Sequence, residues 1–401
     1  MFGDYIAFFT LPYFMLVLTG EALALGLTAF AETLPMLLFG LAAGVFLDRR
    51  KKLGRTLISA DLVRSGAFLF LAYAVGTEWM SSGIILVTAF LVGSMAVLFD
   101  SGFQSYMTQS LASNDLIKAN SRLALARTLT LSVGPLVGGV IVSVGGGFTA
   151  AFILNAATFA VSAVFLAFVR PVKAVVPRSH EPFGQAIMSG LRVLFADERL
   201  KWGTIGGTLT NFVFQPLEAL LVLFVAQEIL HVETVGDVLT QEGASVGIFI
   251  AAQAAIGSIG VAFASKVSTR LSLGAMYIVG LSMLGGGFLL VVLTGSWIAV
   301  IPAGIAVTGV TWVNVALVTL RQRLAPQDQM GRVIAASRTL AWAGLPLGAA
   351  LGGLLASAFG IVPVYLAGSI GVLVVTVLLS RTALLQNRVM ATGDHVRPQA
   401  D

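Results

Sequence analysis

The sequence predicts an all-α membrane protein whose twelve transmembrane helices form two pseudo-symmetric six-helix halves. Of its 401 residues, 57% are hydrophobic and only 11% are charged, which leaves more apolar surface than a water-soluble fold could bury. The apolar residues occur in runs of roughly 20, the length of an α-helix that crosses a bilayer. Lysine and arginine lie on one side of these runs. Composition, run length and charge placement therefore predict the same class of protein.

These runs predict helices and not barrel strands, because they are continuous and contain no short alternating segments. Hydrocarbon offers no water to the backbone, so each span must satisfy its own polar groups, as a helix does. The predicted spans are residues 1–19, 23–47, 57–75, 82–100, 121–144, 149–169, 203–227, 241–264, 272–293, 297–320, 331–358 and 361–380.

The basic residues predict the orientation of the spans. They follow spans 2, 4, 8, 10 and 12 and fill the middle loop, whereas the opposite loops contain no lysine or arginine at all. Basic loops remain in the cytoplasm during insertion. We therefore expect a multi-pass protein of the bacterial inner membrane with both termini in the cytoplasm, in contact with membrane lipid.

A charged interruption divides the chain. Residues 170–201 are rich in basic residues and proline, which predicts a cytoplasmic linker between a first half at 1–169 and a second half at 202–381, with a tail at 382–401. The halves also repeat: Arg127-Thr-Leu recurs as Arg338-Thr-Leu, and each is followed eight residues after the arginine by Pro-Leu. Such repeats place a substrate path between the halves, near the bilayer midplane.

Other function classes have weak support. The net charge of +5 comes from scattered membrane-flanking residues, so no nucleic-acid partner is expected. The chain has no cysteine and its three histidines are far apart in sequence, so no metal site and no cofactor are expected. It has no G-K-[ST] phosphate loop, and its one G-x-S-x-G stretch, at 243–247, falls in a predicted membrane helix. We do not expect an enzyme.

A glycine, an aspartate and a basic cluster follow span 2. Gly44, Asp48, Arg49 and Lys52 match the loop motif G-x-x-x-D-R-x-G-R-R, except that Lys51 stands where glycine is usual. In this the chain resembles the major facilitator superfamily. The resemblance implies the superfamily's two-half fold and a gating role for Asp48, whose charge can hold neighbouring helix ends together. A solvated cluster that only sets topology is the alternative.

Span 3 adds a second charged pair to this gating motif. Asp61 and Arg64 are spaced i,i+3 and can pair on one helix face. A solvated charged cluster that only sets topology is the alternative for this pair too. Together with the stretch LTGEALALGLTAFAETLP at 18–35, these residues resemble a branch of drug:proton antiporters that includes macrolide-efflux and enterobactin-exporter-like proteins, the transmembrane secretion effector type.

Span 5 carries a glycine and proline motif. Gly134, Pro135, Gly138 and Gly139 resemble the G-P-x-x-G-G core associated with proton-coupled exporters, although Thr130 replaces an earlier glycine of the longer motif. The resemblance implies export. Ordinary close helix packing is the alternative explanation of these glycines.

Acidic residues within the spans are the proton-coupling candidates. A charged side chain at a helix centre costs roughly 2.5 to 3.5 kcal/mol on insertion, so its presence suggests a function. The candidates are Asp4, Glu32 and Glu218. Interhelical hydrogen bonding is the alternative role.

Polar residues within the spans are the substrate-cavity candidates. In span 7, Asn211, Gln215 and Glu218 fall at i, i+4 and i+7, which predicts one polar stripe that lines a cavity. Gln253 in span 8 and Asn314 in span 10 are further candidates. A buried network of hydrogen bonds between helices would also explain the stripe.

These features predict a secondary exporter of small amphiphilic molecules (drug, macrolide or siderophore type) by proton antiport with alternating access. An uptake symporter or facilitator and a non-transporting sensor or assembly factor are the alternatives, and the oligomeric state is open. Related sequences carry a basic, aromatic stretch before the segment matching Phe2-Gly3-Asp4, whereas the first basic residue here is Arg49. We therefore expect that span 1 is truncated at its start, which N-terminal sequencing of a functional protein would test.

Overall fold

The computed structural model describes residues 2–48, 53–77, 79–110, 116–143, 147–169, 183–232, 243–326 and 330–384. Every predicted span coincides within these ranges with one helix or with consecutive helical segments. Within these ranges, nine helices are long and apolar enough to cross a membrane, and one bent pair makes a tenth span. Spans 5 and 8 are helical over 26 and 28 residues, with polar, basic ends.

The first half consists of α1 (Phe2–Thr19), α2 (Ala22–Asp48), α3 (Leu53–Ala74), α4 (Ser82–Ser110), α5 (Leu116–Ile141) and α6 (Gly147–Phe168). In this half α3 packs along α6, α2 along α4, and α1 against α5. Aromatic rings fill the space between α1, α3 and α6, where Phe152 contacts both Phe14 and Phe68. Close packing of this kind holds membrane helices together, because lipid gives no hydrophobic force between them.

The predicted linker contains a helix of its own. This helix, α7, spans Phe183–Ala196 and ends just before Asp197, whose carboxylate accepts hydrogen bonds from the amides of Arg199 at 2.8 Å and Leu200 at 3.1 Å. Partial burial raises the pKa of Asp197, but the hydrogen bonds from Leu200 and Arg199 outweigh it and keep that pKa below its usual value. This N-cap starts span 7 at Glu198, earlier than the predicted residue 203.

The second half consists of α8 (Glu198–Ala219), α9 (Leu221–Phe224), α10 (Gly243–Arg270), α11 (Leu273–Thr294), α12 (Val300–Leu324), α13 (Met330–Trp342), α14 (Gly344–Phe359) and α15 (Ile361–Ser380). Two spans predicted as continuous helices are interrupted. Span 7 breaks at Leu220 and bends by 48°, between Pro216 and a π-helical turn at Val225–Ile229. Span 11 breaks at Ala343, three residues before Pro346. Proline and π-turns are the usual causes of such breaks.

The two halves meet along two helix pairs, α2 with α14 and α5 with α10. Glycine allows both contacts. A Cβ atom at Gly26 of α2 would lie 2.6 Å from the carbonyl oxygen of Ala349, and one at Gly247 of α10 would lie 3.0 Å from that of Pro135. The helix backbones therefore touch directly where the halves meet, at the ends opposite the basic loops.

We expect Gly26→Ala to reduce transport while the protein still inserts in the membrane, because the added methyl group forces α2 away from α14. Overpacking of this kind typically costs about 1 to 3 kcal/mol. The measurement is transport activity at matched membrane levels. Gly66→Ala is the control, since Gly66 is also helical and a methyl group added there would meet no described atom within 4 Å outside its own helix. Equal activity of the two variants would contradict the prediction.

Candidate functional site

A cavity of about 130 Å³ lies between the two halves. Its wall is mostly apolar and aromatic, with two carboxylates and few other polar groups. The lining residues are Phe8, Phe9 and Pro12 of α1, Ala29, Glu32 and Thr33 of α2, Pro135 of α5, Gln215, Glu218 and Ala219 of α8, Leu221 and Val222 of α9, and Ile250 of α10. Each half therefore contributes one glutamate.

Glu32 reaches the cavity from α2. It lies on the same helix face as Ala29 and Thr33, which also line the cavity. The Thr33 hydroxyl donates to the Ala29 carbonyl at 2.6 Å, so its hydrogen is used within the helix. Behind Glu32, Gly93 of α4 is in close contact with the Glu32 backbone, leaving no room for a side chain there. The α2–α4 packing thus fixes the position of this acid.

Glu218 reaches the cavity from the last turn of α8, directly before the break in span 7. The carbonyl of the preceding residue, Leu217, accepts a hydrogen bond from the Tyr365 hydroxyl at 2.5 Å. The Tyr365 ring stacks on Phe224 of α9 with centroids 3.9 Å apart, so it contacts both sides of the break. Sequence reasoning missed Tyr365, because nothing in span 12 indicates which helix its hydroxyl meets.

The predicted polar stripe is divided between two roles. Gln215 and Glu218 line the cavity, whereas the Asn211 amide donates to the Ala341 carbonyl of α13 at 2.8 Å. The hydroxyl of Thr208 likewise donates to the Leu340 carbonyl at 2.9 Å. Asn211 therefore joins α8 to α13 next to the break in span 11. This hydrogen bond between helices is the alternative that the sequence analysis gave to a cavity-lining role.

Gln253 and Asn314 lie away from this cavity. Gln253 is buried on α10, and its side-chain oxygen has no hydrogen-bond partner among the described residues. Asn314 is exposed on α12, and its amide donates to the Val310 carbonyl of the same helix at 3.0 Å. Helix periodicity alone could not show that neither residue lines this cavity.

Asp4 is paired with the residues predicted as a gate. The Arg64 guanidinium donates to the Asp4 carboxylate, with Nη1 2.8 Å from Oδ1, and through Nη2 to the carboxylate of Asp61. It lies between the rings of Phe99 and Phe159, 4.7 and 4.4 Å from their centroids. We call Asp4, Asp61 and Arg64 the arginine cluster. The cluster brings together Asp4, predicted as a proton-coupling residue, and Asp61 and Arg64, predicted as part of the gating motif.

The predicted exporter-type motif forms contacts on both sides of α5. Gly134 faces Tyr5 of α1, where a Cβ atom would lie 2.6 Å from the Tyr5 Cβ, and Gly138 faces Phe9 and Thr10. Pro135 and Gly139 face Gly247 of α10, and Pro135 also lines the cavity. Through this motif, α5 therefore contacts α1 of its own half on one side and α10 of the opposite half on the other.

The gating motif after span 2 lies mostly outside the described residues. Arg49 and Lys52 fall in the gap at 49–52, and only the helical backbone is described for Gly44 and Asp48. On the same side of the molecule, Arg338 of α13 approaches Asp100 of α4 to 3.9 Å across the halves. Both side chains are partly exposed, so this pair contributes little free energy by itself, about 0 to 1 kcal/mol.

No group of three or more His, Cys, Asp or Glu side chains in the described part of the chain is placed to hold a metal ion. Among the described residues, the charged side chains that line the cavity are Glu32 and Glu218, one from each half. The arrangement is suited to binding a proton or a cation at a place that both halves share.

Comparison with known proteins agrees with this fold. A family profile described as Major Facilitator Superfamily matches residues 1–345. The chain is 28% identical over 398 residues to "Multidrug efflux pump Tap" of Mycolicibacterium fortuitum, covering 94% of this chain and 92% of that protein. It is 23% identical over 350 residues to "Macrolide efflux protein A" of Streptococcus pyogenes, covering 86% and 83%. The crystal structure of nucleoside transporter NupG shares its fold, with a TM-score of 0.74 at 11% identity over 96% of both chains.

Proposed function

Because the chain belongs to the Major Facilitator Superfamily, we propose that it is a proton-coupled exporter of small amphiphilic molecules. The observation that carries the proposal is the cavity between the halves, with Glu32 on one wall and Glu218 on the other. It is a multi-pass membrane transporter, and the names of its efflux relatives support the outward direction of transport.

The cavity supports a mechanism of alternating access. At about 130 Å³ it is smaller than the roughly 300 to 1,000 Å³ of sites that bind drug-sized molecules. The halves must therefore separate on one side before such a substrate enters, and helices α2, α5, α10 and α14 must slide or part. Aromatic residues of α1 offer apolar contact to the substrate, and the two glutamates offer charge.

Proton exchange follows from the shared position of the two acids. When the cavity is closed to water, two ionised carboxylates within it repel each other, and a bound proton or a cationic substrate relieves that repulsion. A proton entering from outside would then be replaced by substrate entering from the cytoplasm. Competition for the same negative charge couples the two fluxes.

The proposal also includes the predicted orientation of the protein and its predicted cytoplasmic gate. We place the basic loops and both termini in the cytoplasm. We also assign Gly44, Asp48, Arg49 and Lys52 to the cytoplasmic gate, next to the contact between Asp100 and Arg338 across the halves. The substrate enters between the halves from this side.

Proteoliposomes with an imposed pH gradient test the function. Lipophilic amines, macrolides and siderophore-like molecules are offered as substrates, with efflux from a pump-deficient bacterium as the companion assay. We expect uphill movement of substrate against the inward flow of protons. Substrate moving together with protons would establish an uptake symporter instead. Absence of flux for a correctly inserted protein would favour a sensor or assembly factor.

A further inference from the structure

Span 7 reaches the cavity from both sides of its break. Gln215 and Glu218 line the cavity from α8, and Leu221 and Val222 line it from α9. Turned by 48° from α8, the outer part of the span contacts α1 of the opposite half through α9. The angle at Leu220 therefore decides where the Glu218 carboxylate stands relative to the rest of the cavity wall.

The carbonyl of Leu217 lies at the break. In an unbroken helix this carbonyl would accept a hydrogen bond from the amide of Leu221, four residues further on. Here α8 ends at Ala219 and α9 begins at Leu221, so Leu217 belongs to a last turn, whose carbonyls need partners from elsewhere. The Tyr365 hydroxyl of α15 is such a partner, at 2.5 Å. Both residues are fully buried, so water cannot easily replace this hydrogen bond.

The Tyr365 ring contacts the other side of the break. It stacks on Phe224 of α9, with centroids 3.9 Å apart and planes inclined by 18°, and it meets Phe288 of α11 edge to face. One turn further along α15, a Cβ atom at Gly368 would lie 2.0 Å from Cδ1 of Leu217, so α15 lies directly against the break. One side chain therefore holds both α8 and α9, and with them the angle between the two helices.

Glu218 depends on its backbone for its position. Within the described ranges its carboxylate has no hydrogen-bond partner, so no such bond fixes the side chain. The residues before it in the chain are held: Leu217 by Tyr365, and Pro216 by α14, where a Cβ atom at Gly352 would lie 2.6 Å from the Pro216 Cβ. Release of the Leu217 carbonyl would therefore displace Glu218 as well.

We propose that Tyr365 is a positioning residue of the transport site, which holds span 7 in its bent form and thereby keeps Glu218 on the cavity wall for a cationic group of the substrate. Tyr365 does not itself line the cavity. It acts through the hydrogen bond to Leu217 and the ring contact with Phe224. The role of Glu218 in this inference rests on the proposed function, whereas the bend itself does not.

Spin labels on two introduced cysteines test the bend, because the chain has no cysteine of its own. Gln227 in the π-helical turn and Val87 of α4 are exposed positions on opposite halves, and both are changed to cysteine. Straightening a 48° bend would move Gln227, which lies seven residues beyond Leu220, by about 8 Å at a rise of 1.5 Å per residue. Pulsed EPR in lipid nanodiscs measures the distribution of distances between the labels.

The labelled chain is compared with the same chain carrying Tyr365→Phe, Phe224→Leu or Tyr277→Phe. Tyr277 is the matched control, since it is a buried tyrosine whose hydroxyl has no hydrogen-bond partner among the described residues. We expect Tyr365→Phe and Phe224→Leu to add a second population of distances, displaced by up to about 8 Å, and Tyr277→Phe to keep the original distribution. An unchanged distribution in Tyr365→Phe overturns the proposal. If that variant does not fold, an unchanged distribution in Phe224→Leu overturns it.

Binding of tetraphenylphosphonium, a lipophilic cation, tests the link to Glu218. Tyr365→Phe should weaken this binding about tenfold in the chain that has Glu218, but less than about twofold in the chain with Glu218→Gln, where no charge remains to be positioned. Equal losses in the two chains, or no binding by the wild type, overturn the positioning role. Proton-driven flux in proteoliposomes judges the proposed function separately: a loosened bend and a loss of binding that depends on Glu218, without such flux, would reject antiport and keep the role of Tyr365.

Discussion

Arg64→Leu is expected to remove most of the folded protein from the membrane. The substitution leaves Asp61, which is 1% exposed, and Asp4 facing each other without the guanidinium that both now contact. Removing one partner of a buried ion pair costs about 3 to 5 kcal/mol, because the remaining charge stays buried and unpaired. That is a large part of the roughly 5 to 15 kcal/mol that separates folded from unfolded protein.

The measurement is the amount and thermal stability of monodisperse protein after detergent extraction. Arg323→Leu is the matched control, since Arg323 is an exposed arginine in the last turn of α12. Asp61→Leu combined with Arg64→Leu should recover part of the loss, because no buried charge then remains on α3. If Arg64→Leu behaves like Arg323→Leu, the cluster does not stabilise the fold.

The sequence predicted the helices well because lipid restricts the choices. A span must be apolar, about 20 residues long and helical, so apolar runs of that length predicted spans that each fall on helical segments. The breaks at Leu220 and Ala343 were not predicted, although Pro216 and Pro346 were visible in the sequence. A proline in a membrane helix is often tolerated, since neighbouring helices satisfy the freed backbone groups. Whether it interrupts the helix depends on packing that one sequence does not reveal.

The sequence indicated which residues of the candidate site to consider, but not which residues they contact. The cost of intramembrane acids singled out Asp4, Glu32 and Glu218 as residues of interest, and the structure places two of them on one cavity. The pairing of Asp4 with Arg64, 60 residues away, depends on which helices pack together. Local spacing indicates the face of a helix, not the neighbour that this face meets.

Glu32→Gln is expected to abolish proton-driven transport while substrate exchange continues. Glu32 shares the cavity with Glu218, so a proton on Glu32 relieves repulsion between these two acids, and glutamine cannot carry that exchangeable proton. Glutamine keeps nearly the same shape and hydrogen-bonding capacity, so the cavity should still bind substrate. We expect at least a roughly tenfold loss of flux driven by a pH gradient, with exchange of labelled for unlabelled substrate near the wild-type rate.

Glu218→Gln should mainly weaken substrate binding and should reduce proton coupling less. Glu218 follows Gln215 on the wall formed by α8 and lies next to the apolar residues of α9, where a bound substrate would contact it. Removing its charge should therefore weaken the affinity for a cationic substrate by about tenfold, or roughly 1.4 kcal/mol, more than it reduces coupling. Binding and flux are measured for both variants at matched protein levels, with Glu21→Gln as the exposed control. If both variants keep wild-type affinity and pH-driven flux, the two acids are structural, and the negative charge shared between the halves does not couple protons to substrate.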